Sequence, residues 1–322
     1  PTLTVEQALA MPNLGTPQGR STIVGLHGGI DYVCSARMGF LPEIVPCWST
    51  RAAALPNLLL MVPMLLLAWR AVRGTRYQPG EEPGDLVHAW ALAAAAAWWV
   101  VAVAVAFSLH LPSRYPQRTL SILEFLAIGQ LLCMLLDRRL TGGRNRISTA
   151  AIAGGIGLFL LVSFATPTPG LSQPSDKAAM DRLAAMPAGT VVGGVSDQLD
   201  YVPALTGQPT LATIEHSIPY HSGYFTPLHQ RLQDALAAVA SPNPQALADY
   251  VRNYRVDVIA VDRALFDYGQ LPVRWASVVP DALKDAQELL GHAPSPLQQR
   301  AGGCVIHNGA LVLLDAQCLT RM

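Results

Sequence analysis

Residues 93–107 read AAAAAWWVVAVAVAF, and residues 58–69 read LLLMVPMLLLAW. An α-helix crosses a hydrocarbon core with roughly 20 mostly apolar residues, and both runs lie inside stretches of about that length. Working outward, Leu55–Val72 gives a first span, with Pro63 inside it, a residue that membrane helices tolerate. Leu86–Leu109 gives a second, Leu120–Leu136 a third and Ser148–Ala165 a fourth. The GGIG at Gly154–Gly157 in the fourth suits close helix approach. A soluble core would spread its apolar residues over many short elements. Here they crowd between Leu55 and Ala165, in a chain that is 51% hydrophobic and only 14% charged, against about a quarter charged in soluble domains. The expected fold is a membrane α-helical protein of about four transmembrane helices, with a C-terminal extracytoplasmic α/β domain built on a mixed, mainly parallel sheet.

The arginines set the direction. Arg70, Arg73 and Arg76 follow the first span, and Arg138, Arg139, Arg144 and Arg146 follow the third. The loop between the second and third spans carries only Arg114 and Arg118. The positive-inside rule makes the two richer loops cytoplasmic. Residues 1–54 then form an extracytoplasmic segment on the membrane face, 55–166 the four-helix region and 167–322 the outer domain. The expected location is the inner (plasma) membrane, multi-pass. The chain opens at Pro1 with no basic start and apolar run of the signal-peptide kind, so the expectation is the C-terminal part of a longer polytopic protein. Lys and Arg total 22 against 22 Asp and Glu, and no basic stripe with interleaved aromatics occurs, which argues against a nucleic-acid partner.

Past the linker TPTPGLSQPS (166–175), helical and strand patterns alternate. Ser175 is placed to cap a helix ending near Met186, and TVVGG (190–194) reads as a buried strand. A short helix over Asp197–Leu205, a second strand over Pro209–Thr213 and helices over Pro227–Val239 and Asn243–Arg255 follow. VDVIAV (256–261) is β-branched and nearly all apolar, as a strand covered on both faces would be. A helix over Asp281–Leu290 precedes two strands joined at Asn308-Gly309, a strong hairpin signal. Cys34, Cys47, Cys304 and Cys318 all fall in outer segments, where disulfides form. They allow three pairings, of which near neighbours are the simplest.

Three stretches together, SDQLDYVPALTGQPTLAT (196–213), EHSIPYHSGYFTPLHQR (215–231) and ADYVRNYRVDVIAVDR (248–263), resemble the C-terminal region of large bacterial polytopic proteins. Those proteins are related to membrane glycosyltransferases of the C-type (GT-C) fold. The resemblance covers roughly residues 170 to 265. It implies transfer of a sugar from a polyprenyl-phosphate carrier to an acceptor on the outer face, with membrane lipid as the surroundings. It also implies that the catalytic acids sit in an early outer loop absent from this chain, so it supplies a class and no catalytic residue.

Candidate ligand-binding residues come from position. Asp197 and Asp200 follow one strand end, Glu215 and His216 another, with His221, Tyr220 and Tyr224 beyond them. Ligands of open α/β sheets gather at that edge. Asp262 follows VDVIAV there, and Arg263 beside it suits a structural ion pair. In the N-terminal segment Asp31 and Glu43, near His27, Arg37 and Arg51, are placed to meet a phosphate-bearing lipid. Such acids also suit a divalent cation. Each has a plain structural alternative, a helix cap for Asp197 above all. Glu124, the one acid well inside a span, lies close enough to the outer end to snorkel. Two functions stay open: a glycosyltransferase-like protein acting on envelope glycans or lipid-linked sugars, and a non-catalytic membrane protein whose outer domain binds a partner protein or surface glycan.

Overall fold

The structure, a computed structural model, describes residues 3–16, 19, 21–25, 28–35, 37–41, 54–73, 84–105, 112–141, 173–219, 221–291 and 295–321. The chain forms two compact units. One holds Pro1–Ser21 together with Gln173–Met322, the other Thr22–Ser172. The first 21 residues therefore fold with the C-terminal portion, a division different from a single 1–54 segment.

The α/β unit is built on four strands, β1 (Val192–Val195), β2 (Val258–Asp262), β3 (Val305–Asn308) and β4 (Leu311–Asp315), in the order β1-β2-β4-β3. Only β1 and β2 run parallel; β2–β4 and β4–β3 are antiparallel. The sheet is mixed, but the expectation of a mainly parallel one is corrected. The anticipated strand over Pro209–Thr213 contributes a single parallel bridge, Thr210 to Val192. Pro209 has no N–H to extend the ladder, and a turn at Thr213–Ser217 ends the segment.

Side-chain alternation splits the core between the two faces of the sheet. Val258, Ala260, Leu311 and Leu313 pack with Met180 and Leu183 of the Lys177–Ala184 helix. Ile259, Val261, Val312 and Leu314 pack with Leu232, Leu236 and Leu247 from the Ser222–Ala240 and Pro244–Tyr254 helices. Burial on both faces is why VDVIAV carries no polar alternation. Gly194 is obligatory where β1 meets β2: its φ is +130°, and a Cβ would lie 2.1 Å from the Ala260 carbonyl oxygen.

At the start of the chain, Thr4 and Gln7 form a reciprocal capping box, as the Thr-x-x-Gln spacing permits. The buried Asn13 side chain donates to the Ser217 carbonyl at 3.0 Å and accepts from the Ser21 N–H at 3.2 Å. Met11 packs against the main core.

In the second unit, helices Ala54–Arg73, Gly84–Ala104 and Arg114–Thr141 pack on one another. Met61, Met64, Leu67, Ala95, Leu120 and Ala127 form their shared core. Among the described residues one stretch, Val87–Ala104, is long and apolar enough to cross a membrane, and Met61–Arg70 is a shorter apolar run. Ser121, Glu124 and Gln130 break the apolar run of the third helix, and the stretch 148–165 lies outside the described residues. Four spans are thus not shown. Tyr32 and Phe40 meet the Trp99 ring edge-on, and the Trp99 indole donates to the Met38 carbonyl at 2.9 Å.

Candidate functional site

The parallel register pairs Val195 with Val261, so the next residues, Ser196 and Asp262, meet at the C-terminal edge of the sheet. The Ser196 hydroxyl donates to Asp262 Oδ1 at 2.5 Å and accepts from the Gln198 N–H at 3.0 Å. Ser196, not Asp197, therefore caps the 3₁₀ turn Asp197–Tyr201. Relieved of that task, Asp197 keeps a buried Oδ1 with no hydrogen-bond partner among the described residues. Burial pushes its carboxyl up; Arg274 opposes the rise, and the Asp262 and Asp200 carboxylates add to it. The buried Trp275 N–H also acts to lower it, although it meets no acceptor within hydrogen-bonding geometry. Asp262 is raised as well, by burial, against hydrogen bonds from Ser196, Gln198 and the Asp197 backbone.

Beside these groups lies an open cleft of about 660 Å³, within the range of small-molecule sites. Asp197, Gln198, Asp262, Arg263, Tyr268 and Gln270 line it. Tyr268, with 61% of its surface exposed, ends the short Arg263–Tyr268 helix, and Gly269 at φ 64° turns the chain so that Gln270 follows. Arg263 does not pair with Asp262. Its guanidinium donates to the Gly309 and Asn308 carbonyls at 3.0 and 2.8 Å and meets the Asp267 carboxylate at 3.5 Å. It is a clamp on the hairpin turn.

Asp200 and Glu215 are brought together by Arg274, which bonds to them at 2.9 and 3.1 Å. The Glu215 N–H also donates to Asp200 Oδ1 at 2.9 Å. His216 Nδ1 lies 3.0 Å from the Thr213 hydroxyl, a local turn contact. His221 sits exposed at the start of the Ser222–Ala240 helix and makes no side-chain cap bond. Neither histidine lines the cleft. The predicted cluster thus divides: Asp197 and Asp262 share the cleft, Asp200 and Glu215 form a clamped pair, and the histidines stand apart.

In the other unit, Asp31 Oδ1 accepts from the Val33 and Cys34 N–H groups at 2.8 and 2.9 Å, an Asx-type turn. Glu43, Cys47, His27, Arg51 and Tyr220 lie outside the described residues. Cys304 and Cys318 are joined in a disulfide with a Cα–Cα distance of 5.5 Å, and Cys34 is disulfide-bonded. Glu124 is fully buried rather than snorkelling, with no hydrogen-bond partner for its carboxyl oxygens among the described residues. No three His, Cys, Asp or Glu side chains among the described residues come together as a metal-ligand set.

Reading the sequence missed Arg274, Gln198, Tyr268 and Gln270. Arg274 reaches Asp200 from 74 positions away, which no local pattern records. The aromatic-Gly-amide run Tyr268-Gly269-Gln270, closing a helix just past a strand end, was a legible signal.

No family model matches the chain, and no curated protein matches it. Among solved structures, it is similar to the C-terminal globular domain of an oligosaccharyltransferase from Archaeoglobus fulgidus, at 9% identity and a TM-score of 0.30. The match covers 43% of this chain and 94% of that domain. A likeness this slight carries no argument about the site.

Proposed function

We propose that this chain is the C-terminal portion of a membrane glycosyltransferase-like protein, and that its α/β unit binds the sugar portion of an envelope glycan or lipid-linked saccharide. One observation carries the reading: two carboxyls, two amides and an exposed tyrosine ring line one cleft at the strand ends. Carboxyl and amide groups match vicinal hydroxyls as paired donors and acceptors. An exposed aromatic ring offers an apolar face with a polar tip, suited to the C–H face of a pyranose. On this reading the protein lies in a plasma membrane, multi-pass, where a polyprenyl-phosphate sugar would present its glycan; the apolar stretch Val87–Ala104 supports a membrane setting. The arginine pattern and the Cys304–Cys318 disulfide support an extracytoplasmic position for the α/β unit. The non-catalytic alternative uses the same cleft, for binding alone.

The test is calorimetric titration of the full chain in lipid nanodiscs with a neutral hexosamine oligosaccharide. Saturable binding is expected, about tenfold or more weaker in Tyr268→Ala, consistent with loss of a central aromatic contact. Arg255→Ala, which lines a different cleft, should bind as wild type does. Equal binding by Tyr268→Ala, or none by the wild type, overturns the reading.

A further inference from the structure

We infer that the cleft discriminates by charge: it admits neutral or amine-bearing sugars and excludes phosphorylated ones, so it takes the acceptor glycan rather than the phosphate end of a lipid-linked donor. This rests on the sugar reading above and adds a substrate class to it.

The charge inventory leads there. Asp197 and Asp262 line the cleft, and the lining cation among the described residues is Arg263. Arg263 is already committed, with Nε on the Gly309 carbonyl, Nη2 on the Asn308 carbonyl and Nη1 facing Asp267. The next cation along the edge, Arg274, is spent on Asp200 and Glu215. A phosphate entering the cleft would therefore meet two carboxyl groups and no uncommitted guanidinium among the described lining residues. Phosphate sites depend on the reverse, a basic fork or a set of unspent N–H donors. The N–H donors at this edge are engaged too: the Gln198 amide bonds to Ser196, and the Arg263 amide to the Ala310 carbonyl at 2.9 Å.

An ammonium fits where a phosphate does not. Asp197 has one buried oxygen without a hydrogen-bond donor among the described residues. A primary amine on a sugar ring supplies up to three N–H donors and a full positive charge. Tyr268 and Gln270, which also line the cleft, remain for the ring face and a hydroxyl. Placing like charges together at an interface is a common route to rejecting a wrong partner. Here the rejected partner would be the pyrophosphate or phosphate that marks an activated sugar.

The test uses the full chain in nanodiscs and three oligosaccharides identical except at one terminal hexose: a free amine, its N-acetylated form and a 6-phosphate. Affinity should fall in that order, with at least about a tenfold gap between amine and phosphate at low salt. Raising the ionic strength toward 1 M should close much of that gap in the wild type, since screening shortens the reach of exposed charge. The Asp197→Asn, Asp262→Asn double variant should bind all three alike. If the phosphorylated sugar binds as tightly as the neutral one, charge exclusion is wrong while the sugar-binding reading stands. If none of the three binds, the sugar-binding reading itself falls.

Discussion

Two carboxylates near the strand edge are handled in opposite ways. Asp176 is 8% exposed, and its desolvation is outweighed by hydrogen bonds to the Leu311 and Ala179 N–H groups and to His307, so its pKa is lowered. It fastens three pieces: it caps the Lys177–Ala184 helix, holds the backbone of β4 just past the hairpin turn, and takes His307 Nε2 at 3.0 Å. Replacing it by alanine removes a cap and strands a buried N–H, at a combined cost of about 2–4 kcal/mol. Because its folded pKa lies below the unfolded value of about 3.9, its contribution is present above that pH and lost as the pH falls through the folded pKa. Thermal melts of wild type and Asp176→Ala should therefore differ most at neutral pH and converge in strong acid. A pH-independent gap would contradict this role. Asp197 shows the converse: it is raised by burial, and its Oδ1 has no hydrogen-bond partner among the described residues, so it costs stability at neutral pH. The sequence reading singles out Asp197 but not Asp176. The caps expected from the sequence, Ser175 and Asp197, are corrected to Asp176 and Ser196, because adjacent good caps compete and the choice depends on long-range partners.

The hairpin shows how far local chemistry reaches. Asn308-Gly309 specified a turn, and a turn is there, between β3 and β4. The register was less legible: a regular hairpin about Asn308-Gly309 would set Cys304 opposite Leu313, whereas His307 takes that place and Val305 pairs with Leu314 across a bulge. Bulges insert a residue for reasons of packing that a two-residue repeat does not encode. The short Ala316–Thr320 helix then turns back to bring Cys318 to Cys304. Closing a loop with a sequence separation of 14 stabilises by about 3 kcal/mol in the chain-entropy picture. The Cys304→Ala, Cys318→Ala double variant should lose about that much. In the denatured, unreduced wild type neither thiol should take an alkylating agent; labelling of both without reductant would show that the bond does not form. Strong helices and the apolar β2 were readable because their periodicity is local. The Pro209–Thr213 segment looked like a strand for the same reason, and fell short because pairing depends on which neighbours remain available.

At the scale of the whole chain, arginine placement makes the strongest statement about direction. A periplasm-active reporter fused after Met322 should be active, and one near Arg76 silent, as the positive-inside rule requires. The opposite pattern would invert the topology. A quite different consequence follows from the Asn13–Ser217 hydrogen bond, which joins residues 204 positions apart. Residues 1–21 belong to the α/β unit, yet the ribosome makes them about 150 residues or more before most of that unit. Synthesis proceeds at about 5–20 residues per second. The early segment, with the buried Leu14, therefore waits on the order of ten seconds or more for its seat. During that interval the helical unit is made while the early segment lacks its Ser217 partner. The α/β unit is thus a domain interrupted in sequence, completed only after the intervening helical unit has been made.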